Sequence, residues 1–263
     1  HSDSSAASDV YKRQPDINQR TDAWGGSLGN RARIHLEIIK KCREEVGNDF
    51  AISIKMNSAD FQKGGFSPED SIQVAKLFSD SGIDNIEISG GTYEQPRLLG
   101  LDKVSINPKR SENRKESTIA REAYFLSYAE EIAKVVNIPL MVTGGFRTKE
   151  GMEAALRDGA CEIVGVGRPL CANPYAIKEL LSGQIDELPK YEKTLSIGPW
   201  WLSPTSPFRL IQAINAFSAQ AWFYQQIKKM GKGLMPDLNL KPWKAFREDA
   251  KADQEAIKEY QNF

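Results

Sequence analysis

Short apolar runs alternate with helical patterns between Ser27 and Gly183, and this alternation is the main structural signal of the chain. Each run is brief and bounded by glycine or polar residues, so the runs predict buried strands. The predicted strands are 51–56, 85–89, 139–143 and 162–166. The periodicity between them predicts helices at 27–46, 68–81, 123–136, 148–157 and 173–182. A repeating strand–helix order of this kind is typical of a parallel sheet in an α/β protein.

Two of the predicted helices carry apolar residues at helical spacing. The helix that begins at Ser27 has apolar residues at a spacing of four, namely Ile34, Ile38, Cys42 and Val46. Residues 191–263 begin with a proline- and tryptophan-rich stretch, and a long helix is predicted at 207–230. Its apolar stripe, which we expect to pack on its own domain, contains Leu210, Ile214, Phe217, Ala221, Tyr224 and Ile227.

Two neighbouring strands end in glycine, at Val142–Arg147 and at Val164–Pro169. Glycine leaves room for an anion beside bare backbone N–H groups, and Arg168 adds a guanidinium fork for phosphate oxygens. These segments predict a site for a phosphorylated cofactor or substrate. Four parallel strands fit a doubly wound sheet or part of a (β/α)₈ barrel, and phosphate-type glycines after the last two strands favour the barrel.

The composition excludes several classes of function. Lys plus Arg and Asp plus Glu number 35 each, so no general basic field points to nucleic acid. No apolar run approaches the roughly 18 residues that a membrane helix needs, and we expect a cytoplasmic protein without a membrane partner. Three cysteines without C-x-x-C spacing and two histidines are poor material for a metal site or a catalytic triad.

The first residues are not informative about the fold. Residues 4–14 resemble the in-frame translation of a sequencing adapter, so we exclude residues 1–14 and expect no ordered element there. On this interpretation the natural beginning of the gene is missing, and the chain from Pro15 is the remainder of a longer protein.

Several separate segments together resemble the Old Yellow Enzyme family of FMN-dependent ene reductases. The most specific is the motif Asn18–Arg31, with its Arg20-Thr21-Asp22-Ala23-Trp24-Gly25-Gly26-Ser27 core. The others are Lys55–Phe61, Ile88–Tyr93 and the two glycine-ended strands. The resemblance runs from about residue 15 to about residue 185. It implies that residues 15–190 are strands five to eight of an eight-stranded TIM barrel, followed by a helical extension at 191–263.

The resemblance also implies which residues bind the cofactor. Gly144, Gly145, Gly167 and Arg168 would hold the FMN phosphate, and Lys55 would lie near the N1 and C2 carbonyl side of the flavin ring. A cation there would stabilise the negative charge of reduced flavin. The alternative role of Lys55 is an ion pair with Glu87.

Members of the family pass hydride from NADH or NADPH through FMN to an activated alkene, and a protein acid protonates the α-carbon. The acid and the residues that grip the substrate carbonyl precede Arg20 in relatives, so we expect this chain alone to be inactive. The predicted partners are therefore a small alkene and the nicotinamide reductant, while the sequence leaves a homo-oligomer open.

Other interpretations remain open at this stage. A sugar-phosphate lyase or isomerase would share the glycine strands but not the Asn18–Arg31 motif. A non-catalytic half-barrel that only binds is a third interpretation. Asp22 is expected to form a structural ion pair with Arg20 or Arg31, and Tyr93 and Arg114 could approach the flavin or lie on the surface.

Overall fold

The computed structural model describes residues 18–59, 65–89 and 125–261. The adapter-like residues 1–14 and the long loop predicted at 92–118 lie outside this part of the chain, as do Tyr93 and Arg114. The described residues form two compact units, of which the first ends at Gly165 and the second begins at Val166.

The first unit contains helices and strands in alternation. Its helices are α1 (Leu28–Val46), α2 (Pro68–Asp80), α3 (Leu126–Ala133) and α4 (Lys149–Arg157). Its strands are β1 (Ser53–Asn57), β2 (Asn85–Ser89), β3 (Leu140–Thr143) and β4 (Ile163–Gly165). The strands form one parallel sheet in the order β1-β2-β3-β4. This confirms the predicted α/β fold with a parallel sheet.

Strand residues alternate between the two faces of the sheet, and the apolar set packs against the helices. Its fully buried members include Met56, Ile86, Ile88, Leu140 and Val142. Phe78 of α2 is also fully buried in this cluster. Each such side chain contributes about 1.5–3 kcal/mol relative to an exposed position, so this face holds the unit together.

Helix α1 has the predicted length, but its buried face is not the one that carries the apolar residues spaced by four. Ile38, Cys42 and Val46 are exposed, and the buried residues are Arg31, Ala32, His35 and Ile39. The His35 ring lies 6.0 Å from the ring of Phe78. Because polar side chains occupy the face that packs on α2, a search for apolar residues selects the neighbouring face.

The second unit is helical. Its helices are α5 (Arg168–Ala172), α6 (Ala176–Leu181), α7 (Arg209–Met230) and α8 (Pro242–Gln261), with single 3₁₀ turns at Tyr191–Lys193 and Trp200–Leu202. The helix predicted from Asn173 begins at Ala176 instead. The reason is local, since the Asn173 side chain accepts the Tyr175 N–H at 3.0 Å and stabilises a turn.

The predicted apolar stripe of α7 is wrong for most of its residues, although Ala221 is buried. Leu210, Phe217 and Ile227 are 71%, 48% and 45% exposed. The buried side of α7 consists of Asn215, Ala216, Ser218, Ala221, Trp222, Phe223 and Gln226. Trp222 donates its indole N–H to the Leu240 carbonyl at 2.8 Å, and Gln226 binds both backbone polar groups of Asp237. Hydrogen bonds therefore allow polar residues on the packed side.

Candidate functional site

One face of the sheet in the first unit is polar. Ser53, Lys55 and Asn57 alternate along β1 with residues of the apolar face, and Asn85 and Glu87 do so along β2. Parallel sheets are usually apolar and covered on both faces. A polar face at the carboxyl ends of parallel strands is instead typical of the ligand side of a barrel.

Lys55 lies on this polar face and pairs with Glu87. The two residues are register partners, and Lys55 Nζ lies 2.5 Å from Glu87 Oε1. The Lys55 side chain is 47% exposed and the Glu87 side chain 19%. Towards the amino ends of the same strands, the Ser53 hydroxyl donates to Asn85 Oδ1 at 2.7 Å. The expected alternative role of Lys55 is therefore present, and its role at a flavin ring stays a prediction.

Gly144 and Gly145 follow directly after β3. Their φ angles are 120° and 90°, a region that L side chains rarely adopt, so these positions favour glycine. Two successive glycines in this conformation leave backbone N–H groups unshielded by side chains, as in sites that bind anions. Their placement at the carboxyl end of a parallel strand agrees with the predicted phosphate site.

Thr143, the last residue of β3, is directly paired with Gly165, the last residue of β4. A Cβ atom at position 165 would overlap Thr143 Oγ1 and would lie 2.8 Å from both Thr143 Cβ and Met141 Cε. The Thr143 hydroxyl is buried and has no hydrogen-bond partner among the described residues. Register places Thr143 on the same face as Lys55, so this face contains a buried hydroxyl without a partner among the described residues.

Gly167 and Arg168 belong to the second unit. A Cβ at Gly167 would meet no atom within 4 Å, which leaves its backbone open to approach. Arg168 Nη1 lies 3.9 Å from Glu192 Oε1 within the same unit, and their side chains are 23% and 15% exposed. The guanidinium is thus held by a carboxylate while part of it stays accessible.

The Asn18–Arg31 motif has a structural role in the first unit. Asp22 accepts hydrogen bonds from Arg20 Nε at 3.0 Å and from the Trp24 N–H at 3.1 Å, and these bonds lower the pKa of Asp22 to about 2. The expected ion pair of Asp22 is therefore formed with Arg20. Arg31 is buried and instead contacts Asp70 on α2, with 3.3 Å between Nη2 and Oδ2.

Two thiols have no sign of a catalytic role. Burial raises the pKa of Cys161 and of Cys171, which disfavours the thiolate that nucleophilic chemistry needs. Cys171 Sγ lies 3.8 Å from the Gly167 carbonyl oxygen. Within the described residues no group of three or more His, Cys, Asp or Glu side chains could hold a metal ion.

The sequence patterns assigned no role to Thr143, although it lies in the glycine segment that they identified. The available signal was a hydroxyl residue at the last inward-facing position of a strand, directly before two glycines. Ser58, which follows β1, is fully buried and its hydroxyl also has no partner in the described part of the chain. From sequence alone, a hydroxyl that binds a ligand cannot be told from one with a structural role, because only the contacts in the structure distinguish the two.

These features define an α/β protein with glycine-ended parallel strands suited to a phosphorylated cofactor. Residues 13–187 match the family described as NADH:flavin oxidoreductase / NADH oxidase. The chain belongs to this family, which confirms the resemblance to Old Yellow Enzymes. The predicted FMN cofactor and NADH reductant agree with the family, whose members are oxidoreductases.

Named relatives show the same relationship. The chain is 33% identical to the NADH-dependent flavin oxidoreductase iccE of Talaromyces variabilis, over 82% of this chain and 50% of that protein. It is 40% identical to iliE of Hypocrea jecorina, also an NADH-dependent flavin oxidoreductase, over 62% of this chain and 39% of that protein. The chain thus spans about half or less of these relatives' length.

A solved structure supports the fold. The 2-naphthoyl-CoA reductase in complex with 2-naphthoyl-CoA superposes with a TM-score of 0.57 and 29% sequence identity, over 68% of this chain and 26% of that chain. A search of the described helices for one long and apolar enough to cross a membrane finds no candidate.

Proposed function

We propose that the whole protein is an NADH- or NADPH-dependent FMN oxidoreductase of the ene-reductase type. When bound, FMN supplies hydride transfer from the nicotinamide to the β-carbon of an activated alkene such as an enone. The observation that carries the proposal is the pair of positive-φ glycines, Gly144 and Gly145, at the end of a strand whose neighbour also ends in glycine. The family match supports FMN as the ligand of this proposed anion site.

The residues of this chain fit FMN in three respects. Gly144 and Gly145 present backbone N–H groups suited to phosphate oxygens, and Arg168 would add a bidentate cation. Thr143 offers a buried hydroxyl without a partner among the described residues. Lys55 supplies a cation on the same sheet face as Thr143.

We further propose that β1–β4 are the second half of an eight-stranded barrel in the whole protein. The polar face of the sheet, with its ion pair and its exposed Lys55, supports this interpretation. The coverage of 50% and 39% of two relatives is consistent with it. Closing the barrel would pair the edges of β1 and β4 and enclose the polar face.

The 263 residues by themselves should not reduce alkenes, because the proposed acid and carbonyl-binding residues would come from the other half of the barrel. The role of the 263 residues would be to hold FMN and to orient its charged edges. NADH consumption that depends on an enone, measured with this chain alone, would contradict that expectation.

Expression of the complete gene provides the test of the proposed function. We expect a yellow protein that releases FMN on denaturation in a ratio near one per chain, is bleached anaerobically by NADH or NADPH, and regains its colour when an enone is added. A colourless protein that does not bind added FMN would contradict the proposal. A yellow protein that NADH and NADPH fail to bleach would retain the cofactor assignment and contradict the reductase activity.

A further inference from the structure

Glu87 faces Lys55 across two neighbouring strands. The residues are direct register partners, so the backbone ladder places their side chains opposite each other. The Glu87 side chain is four-fifths covered, and its Oε1 lies 2.5 Å from Lys55 Nζ. Its negative charge is therefore a fixed part of the surroundings of Lys55.

Lys55 remains partly accessible, because nearly half of its side chain is exposed. An ammonium has three donors, so Lys55 can bind a second acceptor without releasing Glu87. The negative charge of Glu87 therefore reduces the positive electrostatic potential that a ligand at Lys55 experiences.

We propose that Glu87 is a positioning residue that holds Lys55 at the flavin and moderates its charge, and so sets how much more tightly reduced FMN binds than oxidised FMN. The inference rests on the proposed function and deepens it. Reduced flavin carries negative charge beside the ring edge assigned to Lys55, whereas the oxidised ring is neutral. A carboxylate paired with the ammonium therefore lowers the preference for reduced over oxidised FMN.

The substitution Glu87→Gln separates charge from position. The glutamine amide oxygen can still accept a hydrogen bond from Lys55, while the negative charge is lost. We expect the preference for reduced over oxidised FMN to rise about tenfold, which corresponds to a midpoint potential about 30 mV more positive for a two-electron couple. Lys55→Met should change the preference in the opposite direction by a similar factor.

A matched control is available at the neighbouring register pair on the same sheet face, two residues before Lys55 and Glu87. Ser53→Ala removes the neutral hydrogen bond to Asn85 and leaves both charges in place, so the preference should stay unchanged. The measurement is the flavin midpoint potential of the holoprotein from the complete gene, by dye equilibration, together with the Kd for oxidised FMN. Thermal melting of each variant verifies that the fold is retained.

The outcomes distinguish this inference from the proposed function. Failure of the parent protein to bind FMN overturns both. If FMN binds and Lys55→Met lowers the potential, then an unchanged or lowered potential in Glu87→Gln overturns only the role of Glu87. If FMN binds and neither variant shifts the potential, Lys55 is not at the flavin, and the inference fails while the cofactor assignment stands.

Discussion

The side chain of Thr143 occupies the space that a side chain at position 165 would need. The two residues are register partners at the ends of β3 and β4, and a Cβ at 165 would overlap Thr143 Oγ1. Glycine at this position therefore lets a polar side chain lie across the neighbouring strand. The ends of β3 and β4 therefore pack directly against each other, beside the two glycines that follow β3.

Gly165→Ala should destabilise the first unit. The added methyl would also lie 2.8 Å from Thr143 Cβ, which the strand holds in place, so rotation of the hydroxyl cannot relieve the overlap. Overpacking of this kind costs about 1–3 kcal/mol in the free energy of unfolding. Urea denaturation followed by circular dichroism measures the change. Gly167→Ala is the control, because a Cβ there meets nothing within 4 Å and should leave stability within about 0.5 kcal/mol.

Arg31→Ala should cost about 2 kcal/mol of stability. The guanidinium is buried and donates to the Gly26 carbonyl at 2.5 Å and to Asp70 at 3.3 Å, so its loss removes charged hydrogen bonds between the motif and α2. Arg20→Ala removes an exposed pair instead, and we expect no measurable change. Equal losses in the two variants, measured by urea denaturation, would contradict the structural role of Arg31.

Asp84 should make the first unit sensitive to acid. Its carboxylate accepts the Ile52 N–H at 2.7 Å and a hydrogen bond from Arg43 Nη2 at 2.5 Å, and these contacts lower its pKa. A carboxyl with a lower pKa in the folded state contributes stability above its unfolded pKa of about 3.9, and that contribution is lost as the pH falls through the folded pKa.

Asp84→Asn should therefore lower stability at pH 7 by about 1 kcal/mol, a figure discounted for the exposure of the carboxylate. The difference from the parent should narrow as the pH falls below about 4. Denaturation curves across this range measure it, with Asp80→Asn as a control for an exposed helix pair with Lys76. A difference that stays constant with pH would refute the assignment.

Asn215 should stabilise the second unit. It is buried, donates to the carbonyls of Leu202 and Ile211 at 2.8 Å each, and accepts the Ile197 N–H at 3.0 Å. Asn215→Ala leaves the Leu202 carbonyl and the Ile197 N–H without this partner, while the Ile211 carbonyl keeps its helical hydrogen bond, and should cost about 1–3 kcal/mol. Tryptophan fluorescence during thermal unfolding reports the loss. Asn239→Ala, at an exposed position, should behave like the parent, and similar melting of both variants would contradict the role of Asn215.

Strand positions were predictable from sequence because each apolar run is short and its buried side repeats every second residue. The strand predicted at 85–89 has those bounds in the structure. The helix faces were not predictable in the same way. Arg31, Asn215 and Gln226 occupy buried positions through hydrogen bonds to distant residues, and no local pattern distinguishes such residues from solvated ones.

The candidate site also has features that the sequence predicts and features that it does not. Gly144 and Gly145 were identified from sequence because consecutive glycines after a strand indicate unusual backbone conformations, and their φ angles have that character. The environment of Thr143 depends on the register between β3 and β4, which sequence spacing does not fix. The pairing of Lys55 with Glu87 was one of two roles considered, and only the register distinguishes a direct partner from a diagonal neighbour.

We propose that the glycine-ended strands and Arg168 hold the FMN phosphate, and riboflavin tests this proposal most directly because it lacks only that phosphate. In apoprotein prepared from the complete gene product, we predict that FMN binds at least about 100-fold more tightly than riboflavin, equivalent to ~2.8 kcal/mol. Arg168→Met should reduce this ratio by about tenfold or more. Equal Kd values for the two flavins in the parent protein, by fluorescence titration, would contradict the account.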